Sequence, residues 1–361
     1  MKMETNKRIK LIRAVSIVLA AAVVVAVLLV LGPILEPKYL DIREGSLTAE
    51  YYAHAKETRH DVLLIGDCEV YESFVPAVLW EEYGISSYVR GGSQHLAWHS
   101  YYMLEDALRY ETPEIVVYNV LALKYGEPQQ ETYNRMALDG MEWSQTKVDA
   151  INASMMEDES FASYVWPLLR FHDRWSELTA DDFKYAFADK PLVSDSGYLM
   201  QTDIRPMTES ETVTEPAEYP LPETSMAYLD RMRVLCKERG ITLILIKAPT
   251  NTEQFWWYDE WDAQITEYAA THGLAYYNMI DKTEEIGIDW SHDTYDEGYH
   301  LNVYGAEKLS VWFGRILQEE FDAPDRREDE ALARVWEARV DRYDTNKKQS
   351  EENTTKEGRK S

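Results

Sequence analysis

Three polar positions, spread widely along the chain, have side chains that together suit nucleophilic catalysis. Cys68 follows a short apolar run in the stretch LLIGDCEVY, where a strand would end in a tight turn. Asn119 ends another such run, and His300 precedes a helix-patterned stretch, with Asp296 and Glu297 just upstream. A thiol beside a histidine that a carboxylate orients can act as an activated nucleophile. These residues therefore predict nucleophilic catalysis, provided that the fold brings them together.

Five short apolar runs predict the sheet that would position these residues. They lie at 61–66, 86–91, 114–120, 241–248 and 274–279, and helix-patterned stretches separate most of them. Strands that alternate with helices indicate an α/β fold with a doubly wound, flavodoxin-like parallel sheet and helices on both faces. In such a sheet the carboxyl ends of the strands and the loop before a late helix share one rim. The fold class thus predicts that Cys68, Asn119 and His300 meet there.

The N-terminal segment indicates the compartment. A basic segment, 1–13, precedes an almost uninterrupted apolar run over 14–35. At about 1.5 Å per residue, a helix of this length can cross a hydrocarbon core roughly 30 Å thick. The basic segment should stay in the cytoplasm, which places the remaining chain outside the cell membrane. We predict an uncleaved, single-pass signal anchor; a cleaved signal peptide is the alternative, although the run is long for one.

Composition excludes several classes of protein. The formal charge of −27 repels nucleic-acid phosphates, and no basic stripe offsets it, so we expect no nucleic-acid partner. Two cysteines are too few for a disulfide framework, and Cys236 lies in a helical pattern; a bridge to Cys68 is the less favoured alternative. His95 and His99 have a spacing that suits a metal, but no third ligand is evident nearby, so we expect no metal.

The chain outside the strands divides into flanking and inserted segments. Residues 36–59 read as a polar connector, and 60–322 as the central domain. An insertion at about 124–224 interrupts this domain and carries helix patterns over 144–156 and 160–178. We predict that the insertion caps the carboxyl edge of the sheet, where ligands of α/β proteins bind. A helical layer without a role in binding is the alternative.

The C-terminal part is predicted to be mostly helical. Asn302 suits the N-cap of an amphipathic helix, and one more helix is predicted over 323–344. The polar residues 345–361 predict a disordered tail.

Four short blocks, in this order, resemble the SGNH/GDSL hydrolase superfamily. The first block of that family is Gly-Asp-Ser at the end of the first strand, and here it reads Gly66, Asp67 and Cys68. The second block contributes a glycine after the next strand, which would be Gly91 or Gly92. The serine nucleophile of the family is thus a cysteine in this chain.

The third and fourth blocks complete the resemblance, which covers roughly 61–317. The third contributes an asparagine after the third strand, for which Asn119 is the candidate. The last is Asp-x-x-His; His300 has Glu297 three residues before it and Asp296 four before, so either acid could orient it. Each block alone is weak, and their order is specific as a set.

The resemblance is strongest to membrane-anchored bacterial members that act at the cell surface. It implies an esterase or acetyltransferase that modifies a polysaccharide or wall polymer, in the same broad group as proteins of glycan O-acetylation and teichoic-acid D-alanylation. It implies an oxyanion hole built from the Cys68 N–H, a Gly91 or Gly92 N–H and the Asn119 amide. No cofactor is required, and a transferase would need a membrane-bound protein that delivers the acyl donor.

Two rival interpretations remain open. Asp67 and Glu69 flank Cys68 and would raise the pKa of its thiol, which favours a catalytically inactive glycan-binding or scaffold protein that keeps the fold. A thiol-based redox sensor is the other, and the same flanking acids argue against it because a sensor needs a low thiol pKa.

Five further residues are weaker candidates for substrate binding. Asp67 lies beside the nucleophile, and Arg170 and His172 lie in the insertion. Trp256 and Trp257 follow the fourth strand, where an aromatic platform would suit a sugar ring. Packing on a helix surface or at the edge of the core explains these residues equally well.

Overall fold

The computed structural model describes residues 2–38, 45–188, 192–208, 214–251 and 257–358. By their internal contacts they divide into two units, Met1–Leu40 with Glu157–Pro191, and Asp41–Met156 with Leu192–Ser361. The second unit contains the sheet and is called the sheet unit below; the first is called the anchor unit.

The sheet unit is built on one parallel sheet of five strands. The strands are β1 (Val62–Gly66), β2 (Ser87–Gly91), β3 (Ile115–Asn119), β4 (Thr242–Lys247) and β5 (Ala275–Asn278), in the order β2-β1-β3-β4-β5. β1, β2 and β3 are buried along their whole length, as expected for strands covered on both faces. The predicted flavodoxin-like α/β fold is confirmed, and each strand lies within one residue of its predicted bounds at either end.

Fifteen α helices are found among the described residues. They are α1 (Lys2–Leu35), α2 (Ser46–Glu57), α3 (Cys68–Tyr71), α4 (Pro76–Tyr83), α5 (Ala97–Ala107), α6 (Glu131–Leu138), α7 (Gln145–Ser154), α8 (Phe161–Val165), α9 (Leu168–Phe171), α10 (Ala180–Tyr185), α11 (Glu223–Arg239), α12 (Asp259–His272), α13 (Thr283–Ile286), α14 (Val303–Phe321) and α15 (Glu330–Gly358). Short 3₁₀ helices cover Val120–Lys124, His172–Ser176 and Met279–Lys282. α1, α8, α9, α10 and His172–Ser176 belong to the anchor unit, and the other helices belong to the sheet unit.

The anchor unit contains the predicted membrane segment. Within α1, residues Arg8–Leu35 are long and apolar enough to cross a membrane. This helix includes the whole predicted run, 14–35, and continues through the basic segment before it.

The insertion differs from its prediction. Only 157–191 separates from the sheet unit, whereas the residues on either side of it belong to that unit. The helix predicted over 160–178 is two short α helices and a 3₁₀ turn. It breaks at Trp166, which has extended backbone, because Pro167 disfavours the helical conformation in the residue before it.

The C-terminal helix is longer than predicted. Residues 345–358 continue α15, so the prediction of disorder was wrong for them, and 359–361 lie outside the described residues. The helix is held by its own side chains: Tyr343 is buried and donates a hydrogen bond to Glu307, and Lys347 lies 2.6 Å from the same carboxylate. Composition alone does not reveal such contacts.

Candidate active site

The nucleophile position lies where the chain leaves the middle of the sheet. β1 and β3 are neighbours whose connections lead to opposite sides of the sheet, which is where α/β folds open a crevice at the carboxyl edge. Gly66 ends β1, Asp67 is the N-cap of α3, and Cys68 is its first residue. A side chain at Gly66 would come within 2.6 Å of Val70 and 2.9 Å of Asn119, so glycine permits the close turn.

The histidine lies on the loop before α14. Asn302 caps that helix by accepting hydrogen bonds from the N–H groups of Tyr304 and Gly305, as predicted. A single bridge between Thr294 and Leu301 closes the preceding loop on itself. The cap and the bridge together hold the loop over the carboxyl edge of β1.

Cys68, His300 and Asp296 form a continuous chain of contacts. His300 Nε2 lies 3.1 Å from Cys68 Sγ, and His300 Nδ1 lies 2.6 Å from Asp296 Oδ2. The other oxygen of Asp296 accepts a hydrogen bond from the His300 N–H at 2.8 Å, which fixes the carboxylate against the ring. This is the arrangement in which a carboxylate orients an imidazole toward a nucleophile.

Asp296 is the acid that contacts the His300 ring, and Glu297 faces elsewhere. Glu297 has φ of 69°, in the left-handed region, and its carboxylate forms an ion pair with Arg205. The sequence left the choice between the two acids open, because a turn with positive φ is not evident from residue types alone.

A second carboxylate, absent from the sequence predictions, also faces His300. Glu72 Oε2 lies 3.7 Å from His300 Nδ1, and Glu72 Oε1 accepts a hydrogen bond from the Tyr295 hydroxyl at 2.8 Å. Oε2 is buried without a hydrogen-bond partner in the part of the chain that the structure describes. Its position four residues after Cys68 was the available signal, since such residues share a helix face.

Burial and neighbouring charges shift the pKa values of Cys68, His300 and Glu72. Burial raises the pKa of the Cys68 thiol, and His300 opposes that shift. Burial acts to lower the pKa of His300, but Cys68, Asp296 and Glu72 together raise it well above its ordinary value. Burial also raises the pKa of Glu72 to about 7. These neighbours therefore stabilise the protonated form that His300 reaches after it takes the thiol proton, and this form can give a proton to a leaving alcohol.

A buried polar network lies under Cys68 and includes Asn119. The Nδ2 group of Asn119 donates to Asp67 at 3.0 Å and to Glu69 at 2.9 Å, while its oxygen accepts from the Ala248 N–H. Lys247, at the end of β4, lies 2.8 Å from Glu69. Both amide hydrogens of Asn119 are thus occupied, which contradicts the predicted role of Asn119 as an oxyanion donor.

One of the two predicted glycine donors is also occupied. The Gly92 N–H donates to the Gly66 carbonyl at 3.3 Å, so it does not serve as an oxyanion donor in this arrangement. Glycine at position 91 lets the backbone lie close to the Asp67 carbonyl oxygen, which would be only 3.1 Å from a Cβ atom there. The Cys68 N–H, at the first position of α3, has no acceptor among the described residues. It remains the best-placed donor to an oxyanion.

Of the weaker substrate-binding candidates, Asp67 lies beside Cys68 but faces protein donors. Asp67 is buried and accepts from the Glu69 N–H, and burial raises its pKa to about 7. Trp257 is fully buried, which contradicts a surface platform, and Trp256 lies outside the described residues. Arg170 and His172 belong to the anchor unit.

A cleft adjoins the site on the side of Tyr295. The ring of Tyr295 lies nearly parallel to that of His300, with centroids 6.1 Å apart. The cleft has a volume of about 590 Å³, and it is lined by Thr202, Asp203, Ile204, Arg205, Tyr295, Tyr304, Glu351 and Thr354. Hydroxyl, guanidinium and aromatic groups of this kind suit a hydroxyl-rich ligand.

The two cysteines are unpaired, so the alternative of a disulfide between them is excluded. Cys236 is buried in α11, where burial raises the pKa of its thiol to about 12. Cys68 alone of the two has a histidine against its sulfur.

No family model matches the chain, and no curated protein resembles it significantly.

Proposed function

We propose that the chain is an extracytoplasmic acyl esterase or O-acyltransferase of the SGNH type, anchored by α1 and acting on a cell-surface polysaccharide or wall polymer. The observation that carries this proposal is the contact chain at the carboxyl edge of the sheet. It consists of Cys68 Sγ 3.1 Å from His300 Nε2, and His300 Nδ1 2.6 Å from Asp296. Cys68 is the nucleophile, His300 the general base and acid, and Asp296 the orienting carboxylate.

The reaction has two half-steps, each with a balanced proton transfer. In the first, His300 takes the proton of the Cys68 thiol while the sulfur attacks the ester carbonyl, and the Cys68 N–H donates to the developing oxyanion. The C–O bond then breaks, His300 gives its proton to the leaving alcohol, and a thioester remains. In the second, His300 deprotonates water or a sugar hydroxyl, which attacks the thioester and releases Cys68 as the thiol.

The surroundings of the site support a polymeric, hydroxyl-rich substrate. The cleft beside Tyr295 offers two tyrosines and Arg205 next to the catalytic histidine. The apolar α1 would hold the sheet unit near the outer face of the membrane, where such polymers lie. We propose acetyl as the acyl group, and a membrane-bound partner as the source of acyl groups if the acceptor is a sugar.

A second candidate function is a scaffold or glycan-binding protein that has kept the fold without catalysis. The hydrogen bonds of Asn119 and Gly92 favour this second function. Both groups were expected to donate to an oxyanion, and both donate to protein atoms instead. The raised pKa of the Cys68 thiol points the same way.

Acetate release from an O-acetylated polysaccharide distinguishes these functions. The full chain in detergent is compared with Cys68→Ala, with His300→Ala and, as the matched thiol control, with Cys236→Ala. We expect the wild type and Cys236→Ala to release acetate, or to pass it to an unacetylated oligosaccharide, and the other two variants to do neither. Polysaccharide binding without turnover in all four proteins would instead establish the scaffold.

A further inference from the structure

The anchor unit carries a short segment that is fastened to the outer end of α1. α9, α10 and the 3₁₀ turn His172–Ser176 all pack against that helix. Leu35, its last residue, is fully buried, whereas the side chains through most of the apolar part of α1 are exposed. Arg174 donates to the Leu35 carbonyl at 2.6 Å and so caps the end of the helix.

Arg174 also ties this capping contact to the rest of the segment. It lies 3.0 Å from Asp182, which in turn accepts hydrogen bonds from the backbone N–H and hydroxyl of Thr179 at the start of α10. The same arginine therefore joins the end of α1 to α10. The segment is held at this place on α1 by directed bonds as well as by packing.

The same segment exposes large apolar side chains. They are each 51–67% exposed: Trp166, Leu169, Trp175, Phe183 and Phe187. Soluble surfaces scatter such residues singly, and several within one short segment indicate a surface that binds another apolar phase or partner. The proposed catalytic chemistry uses none of them.

The position of the segment along α1 indicates which apolar phase its exposed side chains would contact. The predicted membrane run, 14–35, is about 33 Å long as a helix, close to the roughly 30 Å of a hydrocarbon core. Leu35 would then lie at the outer boundary of that core. Tryptophan and other aromatic residues are enriched at this depth, where a ring meets both acyl chains and headgroups.

We propose that residues 161–187 form an interfacial collar, which lies in the headgroup region of the lipid bilayer around the outer end of α1. Trp166 and Trp175 enter the boundary between headgroups and acyl chains. The partner is the phospholipid bilayer itself, because the collar is continuous with a helix suited to cross it.

The charge of the collar sets the kind of lipid contact. Residues 161–187 contain four Asp or Glu and three Lys or Arg, so the net charge is −1. Anionic lipids would not attract such a segment, and its contact with the bilayer must come from apolar and aromatic burial. The collar therefore binds zwitterionic lipid, and salt has little effect on its binding.

Quenching of tryptophan fluorescence by brominated lipid tests this proposal. The full chain is reconstituted into phosphatidylcholine vesicles whose acyl chains carry bromine near the ester groups. α1 contains no tryptophan, so quenching reports other tryptophans at the bilayer. The double variant Trp166→Phe/Trp175→Phe is compared with Trp143→Phe, which removes a similarly exposed tryptophan, 51% exposed, from the sheet unit.

We expect bromine quenching to be equal in the wild type and Trp143→Phe, and to fall at least by half in the double variant. Added anionic lipid and high salt should leave this pattern unchanged. Equal quenching in the double variant and the wild type would overturn the collar. So would undiminished quenching of Trp166 and Trp175 by aqueous acrylamide after insertion, which would point to a protein partner for this surface.

Phenylalanine keeps an aromatic ring at both positions, so the double variant is expected to fold. Its circular dichroism and thermal unfolding in detergent, matched to the wild type, verify this before the vesicle measurement. The result is independent of catalysis, because the readout requires neither Cys68 nor His300.

Discussion

Two histidine–carboxylate pairs lie at opposite edges of the sheet. At the amino edge, His60 Nδ1 lies 3.0 Å from Glu111, and both side chains are fully enclosed. At the carboxyl edge, His300 Nδ1 lies 2.6 Å from Asp296, and these side chains are 20% and 25% exposed. Both pairs would pass a simple distance criterion for an oriented histidine, and only one of them faces a thiol.

The carboxylates around the two histidines differ most. Glu111 also accepts hydrogen bonds from the Tyr51 hydroxyl and from the His60 N–H. Burial acts to raise the pKa of Glu111, but these bonds hold it below its ordinary value. Glu72, beside His300, has one buried oxygen without a hydrogen-bond partner among the described residues, and burial raises its pKa to about 7.

Exposure and an adjacent thiol distinguish a candidate catalytic histidine from one that stabilises the fold. A satisfied and enclosed pair such as His60 and Glu111 stabilises the fold, since every polar atom of the carboxylate is used. A partly exposed pair beside a thiol and an incompletely bonded acid is the arrangement that the proposed chemistry requires.

Replacement of each histidine in turn should give the largest difference in rate between the two pairs. We expect His300→Ala to lower the rate of aryl acetate hydrolysis by about 10²–10⁴-fold, because the general base and acid is lost. His60→Ala should leave the rate per folded molecule unchanged, since His60 lies at the opposite edge of the sheet. Initial rates, normalised to folded protein, check both; an equal loss in the two variants contradicts the assignment.

Replacement of the two acids before His300 should give a smaller difference in hydrolysis rate. Asp296→Asn is expected to reduce the rate, though by less than His300→Ala does, because the ring loses its orienting charge. Glu297→Gln is the matched control and should have little effect, since Glu297 pairs with Arg205.

The pH profile adds a second readout for Asp296. The carboxylate raises the pKa of His300, so Asn should lower that pKa and move the acid limb of the profile to lower pH. A fall in rate with an unmoved acid limb contradicts this role.

Glu72 should affect stability in a pH-dependent way. Its pKa is 4.5 in the unfolded chain and about 7 in the folded chain, so between these values the folded state binds more protons and stability falls as pH rises. Glu72→Gln removes this cost. We expect its free energy of unfolding to exceed that of the wild type by up to about 3 kcal/mol above pH 7, and to match it near pH 4.5.

Denaturant titrations of the full chain in detergent at both pH values measure this difference. A variant that is less stable than the wild type at high pH would show that Glu72 supports the fold, as Glu111 does.

Replacement within the enclosed pair of His60 and Glu111 should lower stability, whereas replacement of Glu72 should raise it. His60→Ala is expected to lower the free energy of unfolding by about 1–3 kcal/mol, because Glu111 loses a buried partner. His300→Ala, at a partly exposed position, should change it less. The same denaturant titrations compare the two, and a greater loss in His300→Ala would reverse the distinction.

The sequence was sufficient to predict the sheet and the approach of His300 to Cys68. Buried parallel strands leave continuous apolar runs, and the ends of those runs located Cys68 and Asn119 at one edge. The helix start at Asn302 then placed His300 above them. Each of these predictions depends on local patterns, which the sequence carries directly.

The remaining details depend on contacts that no local pattern encodes. Asn119 was expected to face the substrate, but Glu69 and Asp67 lie close enough to take both of its amide hydrogens. The sequence draws attention to Lys247, because it is a charge at the end of an apolar strand. No local pattern indicates that its partner is Glu69, 178 positions away. The continuation of α15 depends in the same way on a distant ion pair with Glu307.

Trapping of the acyl-enzyme tests the central claim most directly. The full chain is mixed with an aryl acetate, quenched in acid and measured by intact mass and peptide mapping over time. We predict one acetyl group on Cys68 that forms quickly and then discharges, is missing in Cys68→Ala, and forms far more slowly in His300→Ala. The absence of an adduct, or acetylation of Cys68 at the same rate without His300, would contradict a working thiol–imidazole–carboxylate site.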